Sequence, residues 1–431
     1  VSLNQNAILN ALGFGGNASA VGGNGGAGTG GSVAVTTSEG GRITLPAAPD
    51  AGNTFGAIRM LAAGLGGNSF DGGQGGDGTG GTAVVVVDGQ GAAAGATSIT
   101  MGRAQISADG VGGTGLGGNT NDDADGGTGT GGQRTIGVTD GGVLNATMPF
   151  SGAAGVGGNG AGAGTGGDGV GGFELLLAQD ATLNITGELK LGTDAIGGAG
   201  GAGGDGQGGV LTFNVNNVAL NFTADPNGLT GLVLDANGTG GLGDLSDGGA
   251  GIGGQINAQI LNSAFAGGQL IVTAEAFGGS GNTDNRDGGD ATGGLIILST
   301  NPSTIDATDA VTLSSNATGG DGGTGGTALG GDVSATFADT DITIDAVTHT
   351  ESVMTVTSEA TGGLGMTVGD AASGEVNVAF TDSSLQTDEL RLSTNAASTN
   401  TATGATGGTA EANATTLQVQ GLSNVEVGTL E

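Results

Sequence analysis

Ten times along the chain a short apolar stretch runs into a glycine-dense tract and comes out into a second apolar stretch. The first run-in is Ala7-Ile8-Leu9-Asn10-Ala11-Leu12-Gly13-Phe14-Gly15-Gly16, and comparable segments begin at Ile58, Ala104, Leu189, Leu232, Leu270, Val311 and Met354. A version one residue longer begins at Met148, and one without the glycine pair begins at Leu390. The run-outs open at Ser32, Thr82, Gln133, Phe173, Val210, Gln255, Leu295, Asp332, Glu375 and Thr409, at intervals of 34 to 51 residues. Such uneven intervals do not suit a coiled coil or a propeller. They suit a solenoid whose coils are uniform and whose inserted loops are not.

Composition narrows the coil further. With 103 glycines, 11 phenylalanines and no Tyr or Trp among 431 residues, a thick conventional core is excluded, and a core one or two side chains deep remains. Disorder is the alternative for so much glycine, but the segments between tracts alternate Val, Ile, Leu and Thr with the period of a strand. In the seventh repeat Leu295 to Thr300 reads as one strand, Ser303 to Asp309 as a turn with a short extended piece, and Val311 to Ser314 as another strand. The eighth and fourth repeats show the same order of three short strands. Turn chemistry marks the corners at Asp140-Gly141-Gly142, Asp180-Ala181-Thr182, Asn227-Gly228 and Asp306 to Asp309. Without its tract each coil has roughly 20 to 30 residues, one turn of a parallel β-helix. The expected fold is therefore all-β: a parallel β-helix, or β-solenoid, of about ten coils with glycine-rich polyproline-II-like hairpin insertions on one edge. Residues 1–431 read as a single array, with insertions near 15–31, 66–81, 112–132, 157–172, 197–209, 240–254, 278–294, 319–331, 362–374 and 399–408.

The tracts keep a phase. Glycines 22, 25, 28 and 31 are three apart, as are 72, 75, 78 and 81, and 197, 200, 203, 206 and 209. Polyproline II has three residues per turn, so this spacing lays a bare glycine edge along one side of each segment and lets backbones approach there. A flexible linker has no reason to keep phase and would use serine freely. Each tract leaves and rejoins the same coil edge, which implies a hairpin of two extended legs, stacked over the coils into a layer beside the β-helix.

The formal charge of −34, from 41 acidic and 7 basic residues, excludes general affinity for nucleic acid, which needs clustered cations. It also opposes attraction to an anionic membrane surface. Zero cysteine excludes disulfides and thiolate metal sites. No stretch approaches the roughly 18 to 20 continuous apolar residues of a transmembrane helix. The chain opens at Val1 within a run-in and closes at Glu431 where another tract is due, so the expectation is an internal piece of a longer array whose targeting and anchoring parts lie elsewhere.

Calcium is the candidate ligand. Gly72 to Gly80 is similar to the Gly-Gly-x-Gly-x-Asp unit of calcium-binding β-rolls, with Asp77 in the ligand place but Thr79 where that unit has a large apolar residue. Oxygen donors cluster at 119–125, with Asp122, Asp123 and Asp125, and at 282–290, with Asp284, Asp287 and Asp290. Asp and Asn also cap tight loop tips for conformational reasons alone. The one histidine, His349, has no second His, Cys or Lys near it in sequence, so neither a zinc site nor a nucleophilic triad can be assembled around it. Carboxylate pairs could serve glycoside hydrolysis, but the aromatic faces that hold sugars are missing, so no enzyme is expected. Threonine-bearing strands such as Val33 to Thr37 invite comparison with ice-binding solenoids, without their regular Thr-x-Thr ladder. Seven Asn-x-Ser/Thr triplets, at Asn17, Asn145, Asn184, Asn221, Asn237, Asn316 and Asn413, leave glycosylation open.

The strand-turn-strand coils resemble the repetitive β-helical passengers of large bacterial surface adhesins of the filamentous-haemagglutinin and autotransporter type. The Gly-Gly-x tracts are similar to those of glycine-rich surface proteins and polyproline-II bundles. The resemblance implies a stiff extracellular or cell-surface structural fibre or adhesin that self-associates, or touches other surface components, through its glycine-rich side. A calcium-dependent receptor-binding module and an ice-binding or polysaccharide-processing β-helix are the alternatives.

Overall fold

The computed structural model describes residues 7–45, 58–117, 123–225, 228, 230–282, 286–345, 352–398 and 406–430. No helix occurs among them, and every paired strand runs parallel to its partner. One sheet of 23 strands forms the β-helix, and two further sheets of 10 two-residue strands each run through the glycine tracts. The expected parallel β-solenoid with ordered glycine insertions is the observed fold.

A coil begins at its run-out strand, turns a corner into a middle strand, turns again into the run-in strand, and then leaves along one leg of the glycine hairpin to return along the other. The run-out strands stack in register: Val33 on Ala83, Ala83 on Arg134, Arg134 on Glu174, Glu174 on Leu211, and Leu211 on Ile256. Alternation decides the faces. In Phe173–Thr186 the residues Leu176, Ala178, Leu183 and Ile185 point inward and are buried, while Leu175 and Leu177 between them reach the surface. One file of inward residues therefore becomes a continuous apolar column although no coil has a core of its own. Volume is traded along these files, as where Phe213 lies between Leu176 and Ala258.

The first corner differs from the three separate strands expected. In several coils the run-out and middle strands are one strand with a bend, as in Phe173–Thr186, Val210–Thr223 and Leu295–Ala307. Within continuous strands the bend is made by a single residue of positive φ, Asp180 (50°), Asn217 (56°) or Asn262 (47°); Asp339 (47°) and Asp382 (49°) turn the same corner between separate strands, and at Asp140 (53°) the following Gly141 (79°) is left-handed as well. Asp and Asn tolerate the left-handed region better than other side-chained residues, so one such residue turns the chain with pairing interrupted for only one or two positions. The Asp140 and Asp180 corners are as expected; Asn227 lies outside the described residues, and in Asp306 to Asp309 the bend falls on Thr308-Asp309, between the strands Leu295–Ala307 and Ala310–Ser314.

The glycine hairpins form a double layer attached to one edge of the β-helix. All run-in legs stack on one another and all run-out legs on one another, through the two-residue ladders that begin Gly13–Phe14, Gly64–Leu65 and Gly110–Val111 on one side and Gly28–Thr29, Gly78–Thr79 and Gly129–Thr130 on the other. The two stacks face each other at backbone contact. A Cβ on Gly157 would lie 1.8 Å from the carbonyl oxygen of Gly167 in the opposite leg, and one on Gly158 would lie 2.0 Å from that of Gly113 in the coil below. Side chains are thus excluded in two directions at once.

Candidate functional site

The hydrogen bonds of the layer account for its repeating Gly-Gly-x triplet one position at a time. In Gly203-Gly204-Asp205 the first N–H donates along the stack to the Asp247 carbonyl (3.0 Å) and the second donates across the layer to the Gly198 carbonyl (2.9 Å). The third, from Asp205, donates to Oδ1 of Asp168 in the preceding coil (2.9 Å). Gly126-Gly127-Thr128 repeats the scheme, with bonds to the carbonyls of Thr165 and Gly113 and to Oδ1 of Asp77. So does Gly325-Gly326-Thr327, whose third N–H meets Oδ1 of Asp290 at 2.8 Å. The third donor of each triplet has no backbone acceptor in these cases. A carboxylate or carboxamide one coil away supplies it, an exposed bond that contributes about 0.5–1 kcal/mol.

This places the acidic residues singled out as calcium candidates. Asp77 accepts from Thr128, Asp123 from Ala163, Asp125 from both the N–H and the hydroxyl of Thr165, and Asp290 from both those groups of Thr327. Asp287 donates its N–H to Asp247, and its carbonyl accepts from Gly248. Asp122, Asp284 and His349 lie outside the described residues. The described candidates are distributed along the run-out legs of different coils, and among the described residues no group of three or more His, Cys, Asp or Glu is arranged to hold a metal ion. Asp77, Asp123, Asp125 and Asp290 share one observed role, as side-chain acceptors for the next coil's backbone, whereas Asp287 bonds through its own backbone to the preceding coil. Asp370, which accepts from Thr409, is held below the ordinary carboxylate pKa by that hydrogen bond.

The asparagines of the seven Asn-x-Ser/Thr triplets are likewise engaged. Asn145, Asn184 and Asn221 form a ladder up three coils, Asn184 donating to Asn145 at 2.8 Å and Asn221 to Asn184 at 2.9 Å, with Thr100 below. Asn17, Asn237 and Asn316 accept N–H groups of the next coil, and Asn413 donates to the Ser373 carbonyl.

Two ion pairs interrupt the apolar and polar files. Arg134 and Glu174 stack directly on each other inside the β-helix, both fully buried, and Arg134 also donates to the Ile106 carbonyl at 3.0 Å. Burial pushes the Arg134 pKa down while Glu174 and Asp109 oppose it. Near the base of the glycine layer Lys190 pairs with Asp235 at 2.6 Å. Burial works against the Lys190 charge, but Asp235, Asp194 and Glu188 outweigh it and hold its pKa up, whereas burial pushes Asp194 up. Arg134 and Glu174 are far apart in the sequence. The signal was present, since run-outs aligned at Gln133 and Phe173 bring the next residues, Arg134 and Glu174, into one file.

Shallow grooves run where the layer meets the β-helix. One, of about 550 Å³, has a floor of glycine pairs such as Gly253-Gly254 and walls that include Val210, Leu295 and Leu329. The comparisons with known protein families, curated proteins and solved structures give no match to this chain. The geometry therefore carries the functional reading.

Proposed function

We propose that the chain is the shaft of an extracellular or cell-surface structural fibre or adhesin, comparable to the β-helical passengers of filamentous-haemagglutinin-type and autotransporter surface proteins. The observation that carries this reading is the double glycine layer. Ordering glycine backbone costs about 1–2 kcal/mol per residue, and here that cost is met by side-to-side backbone packing repeated through ten coils, which yields a stiff, uniform lateral face. At about 4.8 Å per coil the array spans roughly 45 Å. The inner files are only partly covered at Leu9 and Val35 in the first coil and at Leu417 and Val427 in the last.

Imaging of the native material by negative-stain electron microscopy, with small-angle scattering on the purified chain, tests the reading. Extended particles or fibres are expected. Compact, isodiametric particles that never associate would overturn it. The calcium-dependent binding module is tested in the same preparation: melting and association unchanged by EDTA remove it.

A further inference from the structure

The two faces of the glycine layer are chemically different. The run-out legs carry Asp77, Asp125, Asp168, Asp205, Asp247 and Asp290. The run-in legs of the first seven coils, residues 13–21, 64–70, 110–117, 155–161, 195–201, 238–243 and 276–282, contain no Asp, Glu, Lys or Arg. On a chain with a net charge of −34 that is a face without charge. The second residue of each run-in ladder turns away from the opposite stack, and these residues stand in file: Phe14 on Leu65, then Val111, Val156 and Ile196, with Thr239 before Phe277. Phe14, Ile196 and Phe277 are 70 %, 49 % and 41 % exposed.

We infer that this run-in face is where a second copy of the chain docks, run-in layer against run-in layer; the inference rests on the proposed self-associating fibre and names its contact. Charge selects the partner. Two strongly acidic chains repel over surfaces that carry carboxylates, and approach through the uncharged faces keeps the acidic run-out legs on the outside of the pair. Area is sufficient. Legs of about eight residues at roughly 3.1 Å each, over seven coils at roughly 4.8 Å, give roughly 750–850 Å² per partner, near the ~800 Å² of a standard interface. An apolar centre with a polar rim has the anatomy of such a contact: Asp109, Asp194 and Glu275 lie at the base of the legs, one residue before their ladders. A two-fold axis along the solenoid sets each base against the partner's hairpin tips, where Phe70 and Leu116 are exposed, so the base carboxylates of the two copies do not face one another, and the acidic tip residues Asp71 and Asp244 fall at the rim of the contact. The contact is isologous, so it closes as a dimer and pairs two shafts side by side.

Sedimentation of the full chain over a concentration series tests this. Ile196→Asp/Phe277→Asp places charge on the run-in face, and Ile252→Asp/Leu329→Asp places the same charges on run-out ladder positions of 37 % and 46 % exposure. Circular dichroism confirms that both, altered only at exposed sites, retain the wild-type fold. A dimer is expected for the wild type and the run-out variant, with the dissociation constant of the run-in variant raised roughly thirtyfold or more. Equal weakening by both variants, or undiminished pairing of the run-in variant, overturns the face assignment while leaving the fibre reading intact. A wild type that is monomeric and forms no fibres in electron micrographs overturns both.

Discussion

The β-helix and the glycine layer share one chain and one parallel register, and they are held together by opposite means. In the β-helix the stacked strands enclose side chains, and its stability grows with what is placed inside: Phe213, Phe265, Phe337 and Phe380 are fully buried, and Phe337 stacks on Phe380 with ring centroids 5.1 Å apart. In the layer the backbone itself is the packing surface, and stability depends on what is left out. Gly166 has no room for a methyl group because the Gly198 carbonyl stands 1.9 Å from where its Cβ would be. Both regions repeat a unit that cannot bury itself, so both rely on neighbours. The difference is the sign of the response to added volume.

Deletion in the β-helix gives the largest expected effect. Phe213→Ala empties a site whose file neighbours are Leu176 and Ala258, and is expected to cost about 3–5 kcal/mol, read as a lower denaturant midpoint and as faster exchange of amides in the fourth, fifth and sixth coils. Because a solenoid unfolds by local units, the tenth coil should keep its protection.

Addition in the layer mirrors it. Gly157→Ala brings a Cβ to 1.8 Å from the Gly167 carbonyl oxygen and 2.9 Å from the Gly198 nitrogen, and backbone cannot yield as a side chain can. The expected cost is about 3 kcal/mol, at the upper end of overpacking. It should appear as lost protection of Gly158, which bonds to Gly127, and Gly167, which bonds to Gly158, while strand amides near Phe213 stay protected. Equal loss in both regions would mean that layer and β-helix form one cooperative unit and would end the contrast drawn between them.

The sequence made the two regions legible to different depths. The coil, its inward alternation and the glycine phase could be read because each is a local period, and the tracts' extended, stacked legs followed from Gly22, Gly25, Gly28 and Gly31 alone. The calcium reading of Asp77, Asp125 and Asp290 was drawn from local density of oxygen donors, whereas the structure gives each a partner one coil later, at Thr128, Thr165 and Thr327. Asn145, Asn184 and Asn221 likewise form, as neighbours in space, an amide ladder that their local triplets do not announce. Such pairings depend on register across 37 to 51 residues, which no local period reports. The single-residue bends at Asp180 and Asn217 were visible as turn residues but not as bends inside a continuous strand.

The carboxylate ladder supplies a smaller effect that separates the two ways of meeting a backbone donor. Asp290→Ala removes the acceptor for the Thr327 N–H and hydroxyl, an exposed pair of bonds expected to contribute about 0.5–1 kcal/mol, and Asp290→Asn should retain most of it. The pH dependence has a definite sign. Asp370 is held below its ordinary pKa of 3.8, so the folded state favours the ionised form, and its contribution is present above that value and lost as the pH falls through the lower folded one. Melting followed from pH 6 to pH 2 should show layer amides, Thr409 among them, losing protection before those of the β-helix. Asp370→Asn should remove the part of that slope due to this site.

The smallest expected effect tests whether position or residue type decides. Gly137 is a glycine of the β-helix, in the strand Gln133–Thr139, and a Cβ there meets nothing closer than a Val86 methyl at 3.7 Å, an ordinary contact. Gly137→Ala should change the denaturant midpoint by no more than about 0.5 kcal/mol, and it leans toward stabilisation because alanine loses less chain entropy on folding. Set beside Gly157→Ala, the same chemical change is made twice in neighbouring coils, once where a single side chain stands at ordinary contact distance and once where backbone fills the space. A large loss from Gly137→Ala would show that the strands as well as the tracts depend on bare backbone, and the distinction between a side-chain-packed helix and a backbone-packed layer would fail at its least demanding position.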